Sequence, residues 1–361
     1  MYLWAAFAPE WSLSGHAKSA VSRMTGADTA AASAFATRAT GNQGGRVGRL
    51  VLRRLLSIIP VLLIVSFAVF FLLALVPGDP AVTLAGGLSA TPAEVARVRA
   101  QLHLNDPLIV QYWHWLSGAL RGNFGTSLST GQSVSQQIAT RFPVTFGLVV
   151  ASAIVALVVG IPLGILSGVR PGGSLDSGAR SFSTLGLAVP SFWLAIILVS
   201  IFAVHWRIFP STGYTAITAS FTGWLKDVTL PAVTLGVAVG ATLARQLRAS
   251  LIDALDTPYV RTAWAKGGTR RSVLLRHALK NASMPVVTIF GLQIGYLLGG
   301  AVIVEQIFSF PGLGTYMLNG ITDHDLPVVQ GVTIVFVLFQ MAMSLLVDVS
   351  YGYLNPKVRV S

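Results

Sequence analysis

The sequence predicts an all-α integral membrane protein with six transmembrane helices. Three observations carry that expectation. The 361 residues are 53% hydrophobic and 11% charged, with a mean hydropathy of +0.69; a soluble domain holds about 25% charged residues. Six apolar runs are long enough to cross a bilayer. The lysines and arginines gather in alternate intervals between those runs. The net charge of +12 would suit a nucleic-acid binder if it sat on one face, but its placement in short inter-span segments excludes nucleic acid as the partner. With no cysteine in the chain, disulfides and thiolate metal sites are excluded.

Residues 1–45 are rich in Ala, Ser, Thr and Gly, without a sustained period or a spanning run. They read as a disordered cytoplasmic extension. A secretory signal needs a basic region before its apolar one, and no charge precedes the weak Leu3–Pro9 patch. Met24 is a second candidate start. Arg46, Arg49, Arg53 and Arg54 then lead into Leu55 to Val76, a charge-free run of 22 residues. At about 1.5 Å per residue it reaches roughly 33 Å. The first transmembrane unit is placed at 46–77, closed by Pro77-Gly78-Asp79-Pro80.

Residues 78–141 read as an external insertion. Thr91-Pro92-Ala93-Glu94 is a capping box with proline at the first helical position, predicting a helix to about Leu102. A second, aromatic helix is expected over Leu108 to Leu120, with Tyr112, Trp113 and Trp115, residue types that favour the membrane–water boundary. Gly122-Asn123-Phe124-Gly125 is a turn-rich loop. The insertion reads equally well as a cap on the membrane domain or as a contact for an external binding protein.

Five spans follow within 142–355. Phe142 to Val169 is the second, with Pro143 and Pro162 inside it. Arg170 to Arg180 is a basic loop. Ser181 to Trp206 is the third, kinked at Pro190-Ser191-Phe192-Trp193. Arg207 to Leu230 lies outside. Pro231 to Ala244 begins the fourth, which runs on through Arg245 and Arg248. Pro285 to Val304 is the fifth, and Gly291, Gly295 and Gly299 lie on one face of it as a small-residue seam. Gln293 lies roughly 160 to 200° from Gly291 and Gly295. Pro327 to Val347 is the sixth, and 356–361 form a cytoplasmic tail.

Between the fourth and fifth spans lies the most informative interval, at about 250–284. Thr257 then Pro258 reads as an N-cap followed by proline at the first helical position. Tyr259 to Lys266 forms about two turns. Gly267 sits where a left-handed residue ends a helix, and Thr269 caps a second helix that returns to the membrane. Arg270 and Arg271 occupy its first turn, where the macrodipole disfavours cations, so an acidic partner or lipid phosphate is expected nearby.

Arg261-Thr262-Ala263-Trp264-Ala265-Lys266-Gly267, with His277-Ala278-Leu279 and Pro285 downstream, resembles the coupling loop of ABC importer permeases, most closely the dipeptide/oligopeptide branch. Arg53-Arg54-Leu55-Leu56, Ile59-Pro60 and Pro77-Gly78-Asp79-Pro80 resemble the opening of the same permeases, so the likeness covers about Arg49 to Arg359. The general form of the loop begins Glu-Ala-Ala; here those positions are Arg261, Thr262 and Ala263, and the proline lies further on. Both departures are usual in the peptide branch. The resemblance implies the type I importer permease fold with a small helical insertion between helices 1 and 2. It implies coupling to ATPase subunits through Tyr259, Arg261, Thr262, Ala263, Lys266 and Gly267. The partners it implies are a sister permease, two ABC ATPase subunits and an external substrate-binding protein, in the cytoplasmic (inner or plasma) membrane. Phe308, Phe310, Pro311 and Gly312, a turn expected to present aromatic side chains, fall where an outer gate or binding-protein contact lies. Candidate path residues are Pro190, Ser191, Gln293 and Tyr296.

Charge supports this topology. From residue 46 onward, sixteen Lys and Arg fall in the segments assigned to the cytoplasm and six outside, which places both termini in the cytoplasm. The spans hold few ionisable groups, His205 and Glu305 near their ends, unlike ion-coupled carriers. The chain has no nucleotide-binding P-loop: no lysine follows a glycine. It is therefore expected to be no enzyme, with ATP and Mg bound by the partner ATPases and no cofactor or metal of its own. Asp323-His324-Asp325 reads as an exposed acidic loop rather than a cation site. The expected function is a peptide permease of an ATP-driven importer. A nickel or haem permease, a proton-coupled carrier and a membrane subunit without transport stand as alternatives.

Overall fold

The computed structural model describes residues 43–74, 80–85, 89–101 and 104–354. Among them the structure is helical, with no strand beyond one isolated bridge, Thr126 to Ser133. The extension expected over 1–45 lies outside the described residues except for its last three, which already belong to a helix. That helix, α1, spans Gln43–Ala74 and continues through Pro60. In the insertion come α2 (Pro80–Ala85), α3 (Pro92–Gln101) and α4 (Leu108–Leu120). The capping box forms as expected: the Thr91 N–H donates to Glu94 Oε2 at 2.8 Å, and the Glu94 N–H donates to Thr91 Oγ1 at 3.3 Å. The Thr91 hydroxyl also donates to Glu94 Oε2 at 2.6 Å, and this bond, with the backbone one, holds the Glu94 carboxyl below its ordinary range.

The second span begins earlier than its apolar run. α5 covers Val134–Val169, so its first turns lie inside the interval assigned to the insertion. Val134 and Ile138 explain this, because both are buried against Leu313, Tyr316, Val328 and Val332. The third span is not one kinked helix. α6 (Ser174–Ala188) and α7 (Ser191–His205) meet at 105°, broken at Pro190, and α7 ends in wider π-type turns over Val199–His205. α8 (Phe221–Leu255) starts ten residues before Pro231, where Ser220 Oγ caps it by accepting from the Gly223 N–H at 3.1 Å. After α9 (Pro258–Ala265), the long α10 (Arg270–Phe308) contains π-type turns at Val273–Ala278. α11 (Leu313–Thr322) and α12 (Leu326–Leu354) complete the chain.

Four of these helices, α5, α8, α10 and α12, are long and apolar enough to cross a membrane. The bent pair α6–α7 meets the same criteria as a unit, and α1 carries the apolar stretch Leu56–Phe71. α8 is the most enclosed, and its Leu235, Val239, Leu243, Leu247 and Leu251 form the centre of the core.

One close helix crossing was overlooked in the sequence reading. Gly160, Gly164 and Gly168 of α5 lie against α8, and a Cβ on Gly160 would stand 2.6 Å from the Gly240 carbonyl oxygen. Hydrogen is required at position 160, and a Cβ on Gly240 would sit tightly, 3.1 Å from the Ala156 carbonyl oxygen. The expected seam on α10 is used in part. Gly291 abuts Val347 and Gly295 abuts Gln340, both on α12, whereas among the described residues nothing lies within 4 Å of where a Cβ on Gly299 would stand.

Candidate functional site

α9 connects the end of α8 to the start of α10. Val260 is fully buried and Ala263 half-buried against the core, one turn apart on one face. Arg261, Thr262, Ala265 and Lys266 are exposed on the other. The helix stops at Lys266, and Gly267 takes φ +80° in open space. Glycine is demanded there by backbone alone. Thr269 Oγ1 then caps α10 by accepting from the Ser272 N–H at 3.4 Å. Thr257 occupies the N-cap of α9 without bonding it; its hydroxyl donates back to the Ala254 carbonyl at 2.5 Å.

Two expected coupling residues are engaged within the chain. Arg261 Nη2 lies 2.5 Å from Asp256 Oδ1, with both side chains exposed. The Tyr259 hydroxyl accepts from Asn281 Nδ2 at 2.5 Å and donates to the His277 carbonyl at 3.3 Å. It thereby ties α9 to the wide turns of α10, where i→i+5 bonding loosens the helix. The half-buried Ala263 side chain packs against the chain's own core.

Nearby, the loop read as merely basic hides an ion pair. Asp176 is fully buried. It accepts from Arg248 Nε at 2.5 Å and Nη2 at 3.0 Å, and from the Gly172 N–H at 2.8 Å. The fork of Arg248 thus fastens α8 to the start of α6.

At the other end of α10, the Phe308–Gly314 turn is held from below. Glu305, fully buried, receives the Thr145 hydroxyl on Oε1 at 2.6 Å and the Thr315 N–H on Oε2 at 3.0 Å. The Gly314 N–H also bonds this carboxyl. Thr145 Oγ1 in turn accepts from the Leu313 N–H at 2.8 Å. Three unpaired donors of the first turn of α11 are therefore capped by side chains of α5 and α10. A Cβ on Gly312 would fall 2.2 Å from Glu305 Oε1, so only glycine closes the turn over the carboxyl.

The turn does not present its aromatics outward. Phe308 and Phe310 are buried, and the Phe310 ring meets Tyr214 edge-on at 5.2 Å. The Gly213 N–H donates to the Phe308 carbonyl at 3.1 Å. Ser309 and Pro311 form its exposed rim.

Asp325 corrects a second expectation. It is fully buried, accepting from Ser127 Oγ at 2.5 Å and from the Ser129 N–H at 3.1 Å and hydroxyl at 3.0 Å. Asp323 and His324 remain exposed. The pin fixes the insertion to the α11–α12 corner. Arg141 lies 4.8 Å above the Tyr316 ring in the same region, where burial, then the charge of Asp325, push the Tyr316 phenol up.

The four path candidates are not brought into one cluster. Pro190 and Ser191 mark the α6–α7 break, while Gln293 and Tyr296 sit one turn apart on α10, half-buried and exposed respectively. Gly291 and Gly295 face α12, so Gln293 points away from it. Among the described residues no group of three or more His, Asp or Glu could hold a metal ion. Sequence reasoning missed the Glu305–Thr145, Asp176–Arg248 and Ser127–Asp325 contacts. The signal available for the first was a carboxylate three residues before Phe308-Ser309-Phe310-Pro311-Gly312.

Comparison with known proteins follows the same lines. The family described as "Binding-protein-dependent transport system inner membrane component" matches residues 160–360, and its N-terminal companion matches 47–149. A "Probable peptide ABC transporter permease protein y4tP" of Sinorhizobium fredii is 40% identical over 313 residues, covering 87% of this chain and all of that protein. "Glutathione transport system permease protein GsiC" of Salmonella choleraesuis is 41% identical over 309 residues, covering 86% and 98%. The inward-facing MetNI methionine ABC transporter shares the fold, with a TM-score of 0.50 at 18% identity over 61% of this chain and 97% of that one. The chain belongs to the inner-membrane-component family of binding-protein-dependent transport systems, the non-catalytic permeases of ABC importers.

Proposed function

We propose that this chain is one of two permease subunits of an ATP-driven importer of di- or oligopeptides. Two ATPase subunits would bind ATP and Mg, and an external binding protein would deliver substrate. The observation that carries the coupling reading is α9, a short helix anchored by Val260 and Tyr259 with Arg261, Thr262, Ala265 and Lys266 on its free side. Closure of the ATPases would move α9, and the Tyr259–Asn281 tie would pass that movement to α10. The peptide assignment is supported by relatives at 40–41% identity named peptide and glutathione permeases.

In this reading α1, α5, the α6–α7 pair, α8, α10 and α12 are the six spans of a cytoplasmic-membrane protein with both termini inside. The units are 46–77, the insertion at 78–141, and the five-span core at 142–355. Pro190, Ser191, Gln293 and Tyr296 would line the path, and the Phe308–Gly312 turn would close its outer end. Alternating access is then a population shift driven by differential binding. Uptake of a labelled peptide should survive a protonophore and fail on ATP depletion. The opposite pattern would mark a proton-coupled carrier. Uptake of nickel or haem without peptide would overturn the substrate.

A further inference from the structure

We propose that α4 is a membrane anchor, its exposed apolar stripe seated among lipid acyl chains beside the first span. One face of α4 is spent on α1. The Tyr112 hydroxyl pairs with Ser66 Oγ at 2.9 Å, and the Tyr112 ring stands 5.5 Å from both Phe67 and Phe70. Trp115 lies 6.1 Å from Phe70. Next to that face run Ile109, Trp113 and Leu120, exposed by 48%, 58% and 81%. At about 100° per residue they fall within about 40° of one another. Three large apolar side chains in one exposed row mark a contact surface.

Position decides the occupant. The residues of α1 that hold α4 lie at 66–71, inside the apolar stretch Leu56–Phe71. There α1 itself exposes Ile64 by 68% and Phe67 by 44%. The two exposed surfaces therefore share one level, and what covers α1 there covers α4. With 13 residues, α4 reaches only about 20 Å, too short to cross. It suits a helix lying in the boundary region with its aromatics at the headgroups. Arg121, exposed directly after the helix, can reach lipid phosphate.

The inference rests on the chain being a membrane permease and not on its substrate or ATPase coupling. The absence of cysteine gives a direct test. Nitroxides would be placed on Trp113→Cys and, as a milder change, Ile109→Cys. Ile64→Cys serves as the lipid reference and Gln132→Cys, in a polar turn, as the water reference. Collisions with oxygen and with a water-soluble nickel chelate are measured in phosphatidylethanolamine–phosphatidylglycerol vesicles, for the chain alone and assembled with its partner subunits. The expected result is oxygen in excess over nickel at 113 and 109, as at 64, in both preparations. Nickel in excess, as at 132, would overturn the proposal. So would a loss of both collisions on assembly, which would put a partner protein on the stripe.

Discussion

Replacing Thr145 with valine keeps shape and volume while deleting one hydroxyl. That hydroxyl donates to Glu305 Oε1 and accepts from the Leu313 N–H. Both partners are buried, so no water replaces what is lost. A bond to a carboxyl is worth about 1.5–3 kcal/mol and an ordinary one about 0.5–1.5 kcal/mol, giving a loss of about 2–4.5 kcal/mol. The loss falls on the junction of α5, α10 and α11, so the first turn of α11 should open locally before the core unfolds. At 1.4 kcal/mol per factor of ten, amide exchange at residues 313–316 should quicken about 30- to 1,600-fold. Exchange in α8 should not change. Hydrogen–deuterium exchange with mass spectrometry on the purified chain reads both regions at once. Glu305→Gln is the companion variant, since an amide can still accept the Gly314 and Thr315 N–H groups and donate to Thr145, and it should exchange less than Thr145→Val. Unchanged protection at 313–316 in Thr145→Val would refute the capping account.

Three further outcomes are expected. Gly267→Val should keep the complex assembled but lower its ATPase stimulation, because a β-branched residue resists φ +80° by about 1–2 kcal/mol; a normal transport rate would sink the elbow reading. Arg261→Glu should release the ATPase subunits in a pull-down, most clearly at low salt where the charge is least screened, while Arg359→Glu should not. The Asp256 pair is exposed and worth only about 0.2–1 kcal/mol, so folding should be unaffected and equal retention would count against the coupling face. Asp176→Asn should lower the melting temperature, since it deprives Arg248, whose side chain is 26% exposed, of the buried carboxylate it grips with two hydrogen bonds; adding Arg248→Gln should cost little more, and full additivity would show the pair to be uncoupled.

Local signals were legible where physics is local. Thr91 and Glu94, Leu108 to Leu120, the Pro258 start and Gly267 end of α9, and the Thr269 cap all follow from residue type and spacing. The continuity of α8 through Arg245 and Arg248 was legible for the same reason. What escaped depends on partners distant in sequence. Val134 starts α5 early because α11 and α12 cover it. Asp325 looked solvated beside Asp323 and His324 until Ser127 and Ser129 arrived from the insertion. Gly160 and Gly240 are ordinary in isolation, and only the crossing of their helices gives them meaning. Gly299 illustrates the converse, for it fits the spacing of a seam and packs against nothing described.

The crossing at Gly160 and Gly240 also limits how the molecule can deform. At that point the two backbones meet directly, and Leu243, Leu247 and Leu251 of α8 pack on the bare glycines of α5 along the rest of the crossing, so α5 and α8 should move as one unit. A cycle that opens and closes the molecule must then spend its displacement elsewhere. The compliant joints are the 105° break between α6 and α7 and the wide turns at Val199–His205 and Val273–Ala278. A bulky residue at position 160 would thus change the frame about which every other part turns, and its damage would appear as lost stroke at both ends of the protein.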